Sequence, residues 1–332
     1  MPLRYGESSL IDRRLRICHT ILLIIIRVLP LQTTNGTMPS FSVVIPTYDR
    51  PDLTRRAIQS CLAQTKPPLE IIVIDDHSPI PFEWNEGSIV KVARHERNFG
   101  GGRARNTGID LSQGDFICFL DSDDLWIPDK LRDVERAILA DPRGGETVYF
   151  HDLLMRRSGQ EDRPLPNAEH DGAERILDYI FLKRGVVQTS TLVVPANAAK
   201  RIRFDDSLRI HQDWDFSHRL ELGGLRFRRI PSALAVWSHG EGQQRVSRGR
   251  KIDQAMAWIG KLGDTISSDV RTAINYRVIV PRLRASHPLQ AFGYVMKARQ
   301  SGIIGTGQFI RDIVELPLAF LKGQLRRLVG AQ

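Results

Sequence analysis

Five apolar residues, Phe116-Ile-Cys-Phe-Leu120, run without a break into Asp121-Ser-Asp123-Asp124. An apolar run of this length fits a strand buried on both faces, as in a parallel sheet. Three carboxylates in four positions at its end are not packing residues, because burying an unpaired carboxylate is very costly. A hard divalent cation shared with a phosphorylated ligand would satisfy them, since Mg2+ and Mn2+ take oxygen ligands. The other reading is an acidic helix cap, where a carboxylate meets free N–H groups and the helix dipole. Pro128 and the run from Asp129 to Leu139 predict a helix just beyond. One cap uses one acid, and here there are three.

The pattern recurs upstream. Phe41-Ser-Val-Val-Ile45 predicts a strand, closed by Pro46-Thr47-Tyr48-Asp49. Pro51 suits a first helical position, and Leu53, Ala57, Ile58, Cys61 and Leu62 keep helical spacing until Pro67-Pro68. Leu69 to Ile74 predicts the next strand, ending at Asp75-Asp76, and Ile89 to Ala93 a shorter one. Gly100-Gly-Gly precedes a helix through Arg105, Asn106 and Ile109. This alternation predicts an α/β chain with an open, mostly parallel sheet flanked by helices. Ligands in such sheets sit beyond the carboxyl ends of the strands, where three of these strands carry polar groups.

After Asp141-Pro-Arg-Gly-Gly the order becomes mixed. A strand is expected at Val148-Tyr-Phe150, a helix over 174–183, a strand over Thr189–Val194, and a helix over Gln212–Leu222 stopped by Gly223-Gly224. Leu225 to Trp237 holds one or two more strands. Beyond about Arg245 the pattern is helical, with Pro281, Pro288 and Pro317 as breaks.

Charge separates that last stretch from the rest. From residue 245 onward there are 15 Lys/Arg against 5 Asp/Glu, so the tail carries the whole net charge of +9. Two readings fit it: an interfacial amphipathic helix on an anionic membrane surface, or a helical subdomain with solvated charges. A nucleic-acid arm fits less well, because aromatic residues are few. Near the other end, Ile21 to Ile26 follows Arg13, Arg14 and Arg16, but Arg27 interrupts it and a span needs about 20 apolar residues. Met38, three residues before the first strand, is an alternative start. Residues 1–37 are therefore set apart as an extension, 38–244 as the α/β domain and 245–332 as the basic helical region. Three widely spaced cysteines give neither a disulfide framework nor a zinc spacing, which favours a reducing compartment.

Five ordered motifs carry a resemblance: Val-Val-Ile-Pro46-Thr47-Tyr48-Asp49-Arg50; Ile-Val-Ile-Asp75-Asp76-His-Ser78; Asn98-Phe-Gly100-Gly-Gly-Arg-Ala104-Arg105-Asn106-Thr-Gly108; Leu-Asp121-Ser-Asp123-Asp124-Leu-Trp126; and His211-Gln212-Asp213-Trp214-Asp215. Over roughly Phe41 to His239 the chain resembles the family-2 glycosyltransferases with the GT-A fold, a Rossmann-like α/β architecture. The resemblance implies an enzyme that moves a sugar, with inversion, from a nucleotide-diphosphate sugar to a hydroxyl acceptor. The acceptor is expected to be a glycan or lipid-linked glycan precursor, with Mn2+ or Mg2+ as cofactor.

The resemblance also implies roles. Pro46, Thr47, Tyr48, Asp75, Asp76, Arg105, Asn106 and Asp121 would line the nucleotide-sugar pocket. Asp123 and Asp121 would meet the metal, and His239 would reach it or the diphosphate. Asp213 would be the general base, with Asp215 as rival; Gln212 stands where the family usually has Glu. Plainer readings compete. Asp75 and Asp76 suit a turn after a strand, Arg105 and Asn106 an exposed helix face, Asp215 a pair with Arg219, and Trp214 and Trp237 core packing. A processive synthase is disfavoured, because Gln243-Gln-Arg-Val lacks that group's motif and no segment after Met38 is apolar enough to span. A sugar nucleotidyltransferase would bring a Gly-rich phosphate loop after the first strand, and Pro46-Thr-Tyr-Asp is not one. A non-catalytic nucleotide- or nucleic-acid-binding module is the remaining alternative. A cytoplasmic enzyme, peripheral on the membrane's cytoplasmic face, is the expected setting.

Overall fold

The long apolar runs become strands with no exposed face. The order begins β1 (Phe41–Thr47), α1 (Pro51–Leu62), β2 (Glu70–Asp75), β3 (Val90–Arg94), α2 (Gly101–Leu111) and β4 (Phe116–Phe119). Every residue of β1, β2 and β4 is buried. β1 pairs in parallel with β2 and β4, and β2 with β3. The structure, a computed structural model, describes residues 38–87, 89–157, 159–165, 167–239 and 252–329. The expected extension 1–37 and the expected boundary at 244/245 both lie outside the described residues.

Beyond β4 the elements are β5 (Leu125–Trp126), α3 (Lys130–Leu139), β6 (Thr147–Arg157), β7 (Arg163–Pro164), α4 (Ile176–Phe181), β8 (Val193–Pro195), α5 (Ala196–Ile202), α6 (Gln212–Leu222) and β9 (Arg226–His239). The strand order is β3-β2-β1-β4-β8-β6-β9-β5, with β7 on β6. β8 runs antiparallel to β4 and β6, and β5 antiparallel to β9, while β6 and β9 are parallel. The sheet is therefore mixed, with its continuous parallel stretch confined to β3-β2-β1-β4.

Two local expectations change, and one is narrowed. Thr189–Val194 is not one strand: Thr189–Thr191 makes a tight 3-10 turn, with Gln188 and Thr191 capping each other, and only Val193–Pro195 is extended. The region after Leu225 is a single strand of 14 residues. Pro231 is accommodated because the pairing with β6 slips beside His151 and Asp152, leaving residues 231 and 232 outside the register. Pro317 lies inside a helix rather than ending one.

Close approach of α2 to the sheet explains one glycine. A Cβ on Gly108 would lie 2.3 Å from Val44 Cγ1 of β1, where Val44 is fully buried. Gly108→Ala should therefore destabilise the fold by about 1–3 kcal/mol, the usual range for overpacking. Urea unfolding measures it, and an unchanged midpoint would mean that α2 does not rest on β1 this tightly.

The C-terminal helices are α7 (Ile252–Lys261), α8 (Ser268–Ile274), α9 (Val280–Leu283), α10 (Pro288–Gln300) and α11 (Thr306–Val329). A π-helical turn, Asn275–Ile279, joins α8 to α9. Trp258, Val270, Ile274 and Val278 share one apolar cluster with Phe181 of α4 and Phe216 and Leu220 of α6. The basic region is thus packed onto the α/β unit beside its strand-end face.

Candidate active site

The carboxyl ends of β1 and β2 form the first wall. Pro46 and Thr47 are buried, and the Thr47 hydroxyl lies 2.6 Å from that of Thr54. Tyr48 is 46% exposed. Asp75 has no accessible surface. Its carboxylate accepts bonds from Ser78 N (2.8 Å), Ser78 Oγ (2.5 Å), Phe82 N (3.1 Å) and Arg94 (2.5 Å). Burial pushes this carboxyl up, but those bonds together outweigh it and leave it below its ordinary value. Asp75 therefore holds the turn beneath the pocket rather than lining it, as turn chemistry alone would have it.

Asp76 anchors the next loop. It accepts from Phe99 N at 2.9 Å and Gly100 N at 2.6 Å, and lies 2.7 Å from His95 Nδ1. Gly100 has φ +92°, and a Cβ there would sit 1.8 Å from Arg209 Nη1. The loop wraps the carboxylate and then releases α2, which aims Arg105 at the third strand end. Asn106 spends its side chain on Phe204, donating to its carbonyl at 2.9 Å and accepting from its N–H at 2.8 Å. It fixes α2 to the segment before α6.

At the end of β4 the three acids part company. Asp121 accepts from Arg105 Nη2 at 2.5 Å, and its N–H donates to Ser190 Oγ at 3.0 Å. Asp123 pairs with Arg50 at 3.2 Å. Both side chains are partly exposed, 26% and 16%. Asp124 is buried and accepts from Ser190 Oγ (2.7 Å), Gln188 Nε2 (3.0 Å) and Ser238 N (3.2 Å). Burial pushes its carboxyl well above the ordinary range, and Asp123 and Asp121 push the same way. It does not cap the following helix: Asp129 precedes α3, while Asp124 ties the 3-10 turn and β9 together. Below the turn, the fully buried Lys130 donates to Ser190 O at 2.8 Å and sits 3.9 Å from the Trp126 ring centre. Burial pulls its amine down to about 7.

Arg105 links this cluster to α6. Its Nη1 donates to Gln212 Oε1 at 2.7 Å while Nη2 holds Asp121. His211 enters α6 with φ +60° and stacks on Trp214, ring centres 4.7 Å apart. That places Asp213 in the first turn of α6, partly exposed, with Trp214 N donating to its Oδ1 at 3.0 Å. Loss of solvation pushes the Asp213 carboxyl up to about 6; nearby Asp121 adds to this, against the Trp214 N–H and Arg105. Asp215 instead turns away to Arg219 at 2.7 Å. Asp213 lines a cleft of about 380 Å³ with Gln188, Trp214, Trp237, Leu153, Arg184 and Arg277 among its walls. Gln188 also holds Asp124, and Arg105 joins Asp121 to Gln212, the residue before Asp213, so Asp213 stands close to the acidic strand end. His239 ends β9, and its side chain lies outside the described residues.

Several site residues were not singled out from sequence. Arg50 stands inside a quoted motif, where an arginine so near the first strand end was the available signal. Ser190, Gln188 and Lys130 carry no local signal, since only the fold brings them to Asp124.

Residues 42–153 match the profile described as Glycosyl transferase family 2. The chain carries this family's domain. Among its relatives, the amylovoran biosynthesis glycosyltransferase AmsB of Erwinia amylovora is 29% identical over 252 residues, covering 72% of this chain and 83% of AmsB. The succinoglycan biosynthesis protein ExoW of Rhizobium meliloti is 30% identical over 192 residues, covering 52% of this chain and 60% of ExoW. The crystal structure of S. aureus TarS 1–349 in complex with UDP-GlcNAc superposes with a TM-score of 0.56 at 18% identity, over 85% of this chain and 81% of that TarS fragment. The glycosyltransferase therefore has the GT-A fold, a mixed sheet with flanking helices. Among the described residues no three His, Cys, Asp or Glu side chains converge on a metal position, and no helix is long and apolar enough to cross a membrane.

Proposed function

We propose that this glycosyltransferase transfers a sugar, with inversion, from a nucleotide-diphosphate sugar to a hydroxyl of a glycan precursor in polysaccharide biosynthesis. The observation that carries the reading is the proximity of Asp213, raised to about 6, to Asp121 after β4, with Arg105 joining Asp121 to the start of α6. The donor diphosphate lies against Asp121 and Asp123, between Arg50 and Arg105, with Tyr48 near its nucleoside. The acceptor hydroxyl points at Asp213. That carboxylate takes the hydroxyl proton as the oxygen attacks the anomeric carbon, on the face opposite the leaving diphosphate. A base raised to about 6 is ionised at neutral pH yet basic enough to accept a proton.

The donor set supports a hard cation. Asp121 and Asp123 offer carboxylate oxygens at an accessible rim, too few for a closed protein cage and enough for a site completed by phosphate oxygens. Bound Mn2+ or Mg2+ would neutralise charge on the departing diphosphate. A thermal-shift screen of nucleoside diphosphates and nucleotide sugars, with and without Mn2+, tests the donor side, because a ligand of the folded state raises its apparent stability. A cognate nucleotide should raise Tm, more so with Mn2+. No response to any nucleotide would refute the reading.

The tail extends the proposal to the cytoplasmic face of a membrane. On α11, Ile310, Ile313, Val314, Leu318 and Leu321 are exposed, from 38% to 58%. They recur at helical spacing, which lines them along one face. The surplus of Lys and Arg from residue 245 onward matches an anionic bilayer. The protein should float with phosphatidylglycerol vesicles and not with phosphatidylcholine vesicles. Val314→Glu together with Leu318→Glu should reduce the bound fraction several-fold, about 0.8 kcal/mol being lost per buried methylene. Equal flotation of wild type and variant would rule out this face.

A further inference from the structure

Two arginines in the cleft wall lack a carboxylate partner among the described residues. Elsewhere guanidinium groups near the site are matched: Arg105 to Asp121, Arg50 to Asp123, Arg219 to Asp215, and Arg229 to Asp152. Arg184 and Arg277 line the cleft beside Asp213 without such a match. The preceding residue, Lys183, does have such partners, in Glu174 at 2.7 Å and Asp171 at 4.0 Å. Burial pulls the Arg277 guanidinium below its ordinary value, Arg184 pulls it the same way, and only the Tyr276 phenol opposes them. Arg277 Nε is buried without a hydrogen-bond partner. Half-burying the Arg277 guanidinium beside a second like charge costs free energy that an incoming anion would recover.

The backbone holds both side chains in place. Arg184 sits at φ +63°, a conformation that non-glycine residues adopt rarely and that clusters at functional sites. The turn around it is fixed: Gly185 N donates to Tyr179 O at 2.8 Å and Val186 N to Asn167 Oδ1 at 2.7 Å. Arg277 and Val278 lie in the π-helical turn, and such turns recur at functional sites. The rest of the cleft wall is largely apolar, with Leu153, Leu165, Ile180 and Trp237 in it.

We propose that the acceptor carries a phosphate or diphosphate ester, held by Arg184 and Arg277 while its sugar hydroxyl reaches Asp213. This deepens the glycosyl-transfer reading and rests on its assignment of the cleft to the acceptor. Two guanidinium forks suit the several oxygens and higher charge of a phosphate ester better than a lone carboxylate. The ester can belong to a lipid-linked glycan or to a soluble sugar phosphate.

Isothermal titration of the full-length protein, saturated with UDP, GDP or dTDP and MnCl2 to fill the donor side, separates the cases. The probes are geranyl phosphate, glucose 1-phosphate, glucuronate and neutral geranyl glucoside. At least one phosphate ester should bind more tightly than glucuronate and weaken about tenfold for each arginine replaced, in Arg184→Gln and in Arg184→Gln/Arg277→Gln. Geranyl glucoside should not respond to the substitutions. Arg277→Lys should fall between, since it keeps the charge and loses the fork. Arg184 is exposed, so its single variant carries the test if Arg277→Gln does not fold. Preference for geranyl phosphate points to a lipid carrier and preference for glucose 1-phosphate to a soluble one. Glucuronate binding as tightly as either ester, or ester binding indifferent to both arginines, overturns the proposal. If nucleotides bind and no ester does, the arginine assignment alone fails. If no nucleotide binds, the glycosyl-transfer reading beneath it fails.

Discussion

Asp213→Asn should lower the rate of sugar transfer about 10²–10⁴-fold, the range expected for removing a positioned general base. Nucleoside diphosphate affinity should change little, because the proposal assigns the donor side to Asp121, Asp123 and their arginines. The amide keeps the oxygen that accepts from Trp214 N, so the first turn of α6 need not move. In the wild type, kcat/KM should rise with pH through a midpoint near 6, where Asp213 ionises. Stability should run the other way. A carboxyl raised in the folded state contributes fully below its unfolded value of about 3.9 and loses that contribution as pH rises through about 6. At pH 8 the native protein therefore carries an ionised, poorly solvated carboxylate. Asp213→Asn should raise stability there by about 1–3 kcal/mol, and the gain should vanish near pH 4. A variant that is slow and more stable at pH 8 identifies a strained base, whereas full activity would remove Asp213 from the chemistry.

How much of this was readable beforehand depends on where each constraint resides. The strand ends were legible because burial on both faces demands uninterrupted apolar runs, and polar residues after them stand out. α6 was legible to the residue, since Gly223-Gly224 stops it and the acids begin it. The turn at Thr189–Thr191 was not, because it depends on Ser190 bonding Asp124 and on reciprocal capping by Gln188 and Thr191. Thr-Ser-Thr reads as strand until those partners are known. Asp75 and Asn106 look like pocket residues in a motif, yet each spends its side chain on bonds within the protein. The tail's positive charge was visible, but one of its arginines faces the cleft. Arg277 gets there through a π-helical turn, and no local pattern announces that.

Asp123→Ala should cost about 10²–10³-fold in transfer rate, the usual loss when one group stabilising developing charge is removed. Its signature should differ from that of Asp213→Asn. Asp123 pairs with Arg50, and a donor diphosphate entering between them gives Arg50 a new anion. With the carboxylate present, Asp123 would help hold a cation beside the diphosphate; without it, the arginines would hold the diphosphate alone. Mn2+ should therefore tighten nucleoside diphosphate binding in the wild type and have little effect in Asp123→Ala. Asp124→Asn provides the contrast. Asp124 is buried, bonded on both oxygens and pushed well above its ordinary pKa by burial, so a neutral side chain of the same shape disturbs little there. It should retain the Mn2+ effect. If Asp123→Ala keeps its Mn2+ response while Asp124→Asn loses it, the cation contacts the inner acid, and the division of labour drawn here between the two residues is reversed.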